Sequence, residues 1–339
     1  LKSLHRALAA ALLVTSLTAC GSSEATTGAE KLELRYQGSV GSVILPELAE
    51  ELGYLAPLKL TWIGNTISGP QDIQAVATGQ TDFGGAFNGA IAKLVAAKAP
   101  IKAVISYYGS DKDSFQGFYV LEDSPIKSAR DLIGRKVAMN TLGAHAEAVL
   151  KEYLKRGGLT PEEIGQVEPV VVPPVSAEQG LRQRQIDVAV LGGVLRDKAL
   201  ERGGLRPLFS DFELFGPFSA GSYVLTQRFI DEHPATVKKF VEATAKAVQW
   251  TRERPREEVV AKFKEIIAKR GRHEDDQSVG FWKSTGIATA GGVIVEKEFQ
   301  TWIDWLEREG ELRPDQVKAA EVFTNAHNPY AIAAGGGAE

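Results

Sequence analysis

From Leu32 onward the chain repeats one local plan: a short alternating or apolar run, a corner of glycine and small polar residues, then a helical stretch. That alternation is the pattern of an open α/β sheet with helices on its faces. Leu32-Glu33-Leu34-Arg35-Tyr36 reads as a strand, Gln37-Gly38-Ser39 as its corner, and Val43 to Leu52 as a helix. Lys59-Leu60-Thr61-Trp62-Ile63 is a second strand, followed by a helix opening at Gly69-Pro70-Gln71-Asp72, where a first-turn proline loses no needed N–H. Asp82 to Phe87 is strand-like, Gly89 to Lys98 helical, and Ile101 to Tyr107 a strand again. Three such corners predict a ligand crevice at the carboxyl ends of the strands.

A new unit opens after Phe118-Tyr119-Val120-Leu121. Ser128 to Gly134 reads as a short helix, Lys136-Val137-Ala138-Met139 as a strand, and Gly143 to Arg156 as a long helix closed by Gly157-Gly158. The strand Glu168 to Val172, the helix Ser176 to Arg184, the strand Asp187 to Leu191 and the corner Gly192-Gly193 follow. Tyr223-Val224-Leu225-Thr226 reads as a return strand, and from Pro234 to Phe323 the pattern is almost wholly helical. Two βα units joined by two extended segments predict two lobes with a cleft between them. The expected boundaries are 31–116 with 225–330 for the first lobe and 117–224 for the second, with 331–339 as a flexible tail. A chain of this length suits two domains better than one.

Residues 1–19 read as an export signal: Lys2, His5 and Arg6, then an apolar middle from Ala7 to Leu17, too short to span a bilayer. Cys20 is the only cysteine and closes Leu17-Thr18-Ala19-Cys20-Gly21. This run resembles the lipobox of bacterial lipoproteins, which implies that Cys20 is lipidated and the chain cut before it. Residues 20–30 are small and polar, as expected of a tether. The expected location is extracytoplasmic, in the periplasm or on the outer face of the cell membrane.

The formal charge is −4, or −6 without Lys2 and Arg6, and no basic stripe argues for nucleic acid. Neither G-x-G-x-x-G nor G-x-x-x-x-G-K-[ST] occurs, so nucleotide binding has no motif support. His145-Ala146-Glu147 has the H-x-E form of zinc deaminases without their downstream cysteine pair. His233, His273 and His327 are scattered, and Gly38-Ser39-Val40-Gly41-Ser42 lacks the order of a hydrolase elbow. Neither a metal, nor a cofactor, nor a catalytic set is expected.

Gly69-Pro70-Gln71 before a helix, Gly79-Gln80-Thr81-Asp82-Phe83-Gly84 at the next strand, and the run Asp123 to Ala138 (DSPIKSARDLIGRKVA) carry a likeness. On them, Leu32 to about Asn328 resembles the substrate-binding proteins of ABC importers for sulfonates, nitrate, taurine and thiamine-pyrimidine precursors. The resemblance implies a type II periplasmic binding protein: two α/β lobes closing on a small ligand, expected as a monomer, serving a permease and an ATPase. It places the ligand at Gln37, Gly38 and Ser39; at Ser68, Gly69 and Pro70; and at Phe87 and Asn88. In the second lobe it places the ligand at Thr141, Gly143, Ala144 and His145, at Gly192 and Gly193, and near the return at Gly221, Ser222 and Tyr223. Tyr107, Tyr108, Phe87 and Tyr223 suit stacking on a planar ring. Helix N-termini at such corners suit anions.

Departures from the sulfonate branch bear on the ligand. Where sulfonate binders tend to have Gly-Ser-Ser-Ser-His, this chain has Gly143-Ala144-His145-Ala146-Glu147, and where they tend to have Trp-Asp-Pro it has Leu191-Gly192-Gly193. Glu147 either complements the positive end of its helix or faces the cleft. The expectation is a solute binder favouring a sulfonate-, nitrate- or taurine-like anion. Its alternatives are a planar heterocycle such as a thiamine pyrimidine precursor, an enzyme of the thiamine-pyrimidine synthase type, or a sensor subunit.

Overall fold

The computed structural model describes residues 29–331; the expected export signal, Cys20, nearly all of the expected tether and the expected tail beyond 331 lie outside the described residues. Strand β1 (Glu33–Gly38) pairs in parallel with β2 (Lys59–Asn65), linked by helix α1 (Leu45–Glu51). Helix α2 (Gly69–Ala77) leads to β3 (Gly84–Phe87), α3 (Asn88–Ala96) and β4 (Ile101–Ser110). The Asp82 N–H donates to the Arg35 carbonyl at 2.9 Å, which lays the approach to β3 beside β1.

The chain then crosses into a five-stranded sheet ordered β7-β6-β8-β5-β9. Its strands are β5 (Gln116–Leu121), β6 (Lys136–Met139), β7 (Glu168–Val171), β8 (Val188–Gly192) and β9 (Leu205–Ser210), with β6 parallel to β7 and β8 and β5 antiparallel to β8 and β9. Helices α4 (His145–Arg156), α5 (Pro161–Ile164), α6 (Pro174–Arg182), α7 (Gly193–Glu201) and α8 (Asp211–Phe215) surround it. One face buries Phe118, Leu132 and Val149, the other Ala177, Leu181 and Leu191, as expected for a sheet covered on both sides.

Strand β10 (Phe218–Thr226) returns to the first lobe and runs antiparallel between β3 and β4. The whole strand belongs to that sheet, so residues 218–224 sit with the first lobe and not within the 117–224 unit expected from sequence. Helices α9 (Gln227–Glu232), α10 (Pro234–Glu253), α11 (Arg256–Arg270), α12 (Glu296–Arg308) and α13 (Ala319–Val322) complete the first lobe. The stretch from Pro234 to Phe323, expected to be almost wholly helical, is interrupted: Gly271 to Val295 carries only short 3-10 turns. Gly271, Gly286, Gly291 and Gly292 all have positive φ there, and the Gly286 backbone passes so near Gly109 that a Cβ would meet a carbonyl at 2.2 Å.

The first core joins Leu34, Leu48, Phe240 and Phe263; a second joins Phe87, Phe299 and Trp302 beneath α12 and α3. Two segments connect the lobes, the irregular stretch Ser110 to Gln116 and Asp211 to Phe218, which includes α8. Asp211 ties them together: its Oδ1 accepts from the Ser110 hydroxyl at 2.9 Å and from the Gln116 N–H at 3.0 Å.

Candidate functional site

Between the lobes lies a cleft made of adjoining cavities. The larger two measure about 480 Å³ and about 370 Å³ and share Ser39, Ser42, Ile44, Tyr107, Asn140, Pro174, Leu195 and Tyr223; a third of about 210 Å³ adjoins at Tyr107. Tyr107 and Tyr223 stack with ring centroids 4.4 Å apart because β4 and β10 are paired neighbours. The Gly85 backbone lies against them; a Cβ there would fall 2.7 Å from the Tyr107 ring. From the second lobe come Gln116, Asn140, Val172, Leu191, Gly192 and Gly193. The Asn140 amide donates across the cleft to the Ile67 carbonyl at 3.2 Å.

Several helices begin at this cleft. Ser68 caps α2 by accepting from the Gln71 N–H at 3.4 Å. Gly69 follows because a Cβ there would fall 2.8 Å from Ala86 Cα, so α2 sits flush on β3. Residues near the starts of α1, α6 and α7 also line the walls, through Leu45, Pro174 and Gly193. No Arg or Lys lines the three cavities among the described residues.

Buried polar groups without partners gather here. Gln37 Oε1, Asp72 Oδ1, Gln116 Oε1 and the Tyr223 hydroxyl are buried, lack a hydrogen-bond partner among the described residues, and belong to residues that line the cleft. Most buried polar groups in folded proteins are satisfied, and each exception calls for an explanation. A ligand contacting both lobes supplies one.

Gln37, Ser39, Ser68, Gly69, Pro70, Phe87, Tyr107, Tyr108, Thr141, Ala144, His145, Gly192, Gly193 and Tyr223 all line the cleft cavities. Five other expected positions do not. Gly38 is packed beside Arg272, and Gly221 beneath Tyr108 and the Ala86 carbonyl. Asn88 at the start of α3 and Ser222 of β10 bond to each other, Ser222 Oγ donating to Asn88 Oδ1 at 2.9 Å. Gly143 donates its N–H to Glu147 Oε2 at 2.6 Å. Glu147 thereby complements the start of its own helix and pairs with Lys151 at 2.9 Å. Burial raises its pKa, but these two donors outweigh that and leave it lowered.

His145 plays a part the sequence does not disclose. The second lobe inserts this ring into an aromatic socket of Phe87, Tyr108, Phe218 and Trp302 from the first, stacked on Phe87 at 5.0 Å. Its Nε2 lies 3.3 Å from Asp211 Oδ2. Burial holds His145 down to about 3 and pushes Asp211 up to about 7, so a protonated Asp211 facing a neutral imidazole satisfies both atoms. The unfolded chain keeps its one proton on the histidine between about pH 4 and 6.5, the folded pair keeps one on the aspartate, and folding is therefore nearly pH-neutral at this pair.

Asp72 differs, because nothing compensates it. Burial raises it to about 7 against one N–H donor, from Gly85 at 2.7 Å. The native state binds this proton between about pH 4 and 7 while the unfolded chain does not, so stability falls as pH rises through that window. Asp72→Asn is expected to gain on the wild type from pH 4 to pH 7.5, by on the order of 3 kcal/mol, in urea unfolding followed by circular dichroism. A difference that stays constant with pH contradicts this assignment.

Sequence reasoning passes over Asp72, Asn140, Gln116, Ser42 and Pro173-Pro174. Asn140 was findable, since it directly follows the predicted strand Lys136 to Met139. Pro173-Pro174 marks the β7-to-α6 corner in the same way.

The NMT1/THI5-like family profile matches residues 48–258. An Escherichia coli (strain K12) protein described as aliphatic sulfonates-binding is 27% identical over 241 residues, covering 70% of this chain and 72% of the relative. Among solved structures, the alkanesulfonate-binding protein of Xanthomonas axonopodis pv. citri bound to MOPS superposes with a TM-score of 0.68 at 20% identity, over 88% of this chain and 99% of that one. The periplasmic nitrate-binding protein of Synechocystis PCC 6803 gives 0.67 at 15% identity, over 87% of each chain. A desulfurization enzyme shares the fold at a TM-score of 0.60 and 17% identity, over 90% of this chain and all of that one. With more than half of its length matched and a two-lobed α/β fold around an interlobe cleft, the chain belongs to the NMT1/THI5-like family.

Proposed function

We propose that this chain is the extracytoplasmic solute-binding component of an ABC importer, capturing a small organic solute by cleft closure and presenting it to a permease and its ATPase. The observation that carries the reading is the group of unpartnered polar atoms, Gln37 Oε1, Asp72 Oδ1, Gln116 Oε1 and the Tyr223 hydroxyl, on residues lining the space between the lobes. A ligand bridging them contacts both lobes and so favours the closed state. The sulfonate- and nitrate-binding relatives support a small anion, held at helix N-termini by N–H groups and dipoles. A binding role rather than catalysis fits the relatives named as binding proteins, although one fold neighbour is an enzyme.

Calorimetry of residues 29–331 against alkanesulfonates, nitrate, pyrimidines and aromatic carboxylates tests the reading. Micromolar or tighter binding in at least one class is expected; binding to none contradicts it. Lipidation of Cys20 is proposed as the anchor beside the permease, and no helix among the described residues is long and apolar enough to cross a membrane. Cys20→Ser is expected to move the protein from the membrane to the soluble fraction without changing ligand affinity, and retention in the membrane fraction contradicts the anchor.

A further inference from the structure

Asp72 is the one carboxylate lining the 370 Å³ cavity among the described residues, and it is only 7% exposed. It sits in the first turn of α2, which Ser68 and Gly69 fix against β3. Its Oδ2 is occupied by the Gly85 N–H at 2.7 Å, whereas Oδ1 has no hydrogen-bond partner among the described residues. The aromatic pair Tyr107 and Tyr223 shares that cavity. No cationic side chain among the described residues lines this cavity, although a carboxylate is ordinarily buried only with a partner. Resting on the solute-binding reading above, we infer that Asp72 determines specificity by accepting a hydrogen bond from a nitrogen donor of the solute, an ammonium or a ring amino group.

A purely anionic solute leaves this acceptor site unfilled and is tolerated there only while Asp72 stays protonated. A solute with a nitrogen donor instead fills the open acceptor site, and its remaining polar end faces the helix N-termini at Ser68 and Gly193. Burial holds Asp72 partly protonated near neutral pH, and a cationic donor shifts it toward the ionised form by releasing that proton.

The test uses probe pairs differing by one amino group: 2-aminoethanesulfonate against ethanesulfonate, and 4-aminopyrimidine against pyrimidine. Wild type is expected to bind the aminated member of at least one pair about tenfold or more tighter, the range of a hydrogen bond to a charged group. In Asp72→Asn that preference is expected to fall to within about threefold of parity. Calorimetry of the wild type at pH 6.5 in two buffers of different ionisation enthalpy gives a second readout that does not depend on the variant folding. The 2-aminoethanesulfonate probe should release protons on binding and ethanesulfonate should not. Equal affinities within both pairs, an amino preference that survives in Asp72→Asn, or no proton release overturns the Asp72 assignment while leaving solute binding intact. Binding of none of the four probes overturns the assignment as well, and if the wider panel also fails it removes the solute-binding reading.

Discussion

Arg196→Ala is expected to lower the unfolding free energy by about 3–5 kcal/mol, the cost of breaking a buried ion pair from one side. Arg196 is 3% exposed, its guanidinium lies 3.8 Å from the Phe115 ring centroid, and it donates to Asp197 Oδ1 and to the Asp113 carbonyl, both at 2.8 Å from Nη2. Through these contacts α7 of the second lobe grips the Asp113 to Phe115 crossing segment. Asp197 keeps a second partner in Lys283 at 3.2 Å, which limits the loss. Urea unfolding measures the loss; a change below about 1 kcal/mol would mean that the crossing segment holds without this clamp.

Tyr223→Ala is expected to cost a similar amount, about 3–5 kcal/mol, and to abolish ligand binding. The ring is 3% exposed, stacked on Tyr107, and set edge-on to Phe83 at 5.7 Å, so truncation opens a cavity in the first-lobe core and removes half of the aromatic wall. Tyr223→Phe separates the two effects. It keeps the packing and removes a buried hydroxyl that has no hydrogen-bond partner among the described residues, so stability is held or slightly raised while ligand affinity drops. If Tyr223→Phe binds as the wild type does, the hydroxyl is not part of the site.

The alternation of strands and helices was readable because the corners carry strong local chemistry. Proline in the first turn of α2 and the apolar run of β6 are found where expected, at Gly69–Ala77 and Lys136–Met139. The start of β10 was not readable, because Phe218 to Ser222 is rich in small residues with little strand preference, and pairing on both sides imposes the conformation. Register also decides which side chains reach the cleft. In β10, Tyr223 lines the cleft whereas the adjacent Ser222 turns to Asn88, a period-2 distinction that needs the neighbouring strands. His145 shows the limit most plainly: its position at a helix start is legible, but its aromatic socket is assembled from β3, β4, β10 and α12 and exists only in the fold. Asp72 is legible in the sequence only as part of the run that opens α2, and its burial and its single donor reveal a free acceptor.

The crystal structure of the protein with its best-binding solute tests the central claim most directly. Solute density is predicted between Tyr107 and Tyr223 of the first lobe and Asn140 and Gly192 of the second, with polar contacts from both lobes. Density elsewhere, or contacts confined to one lobe, would contradict capture by cleft closure.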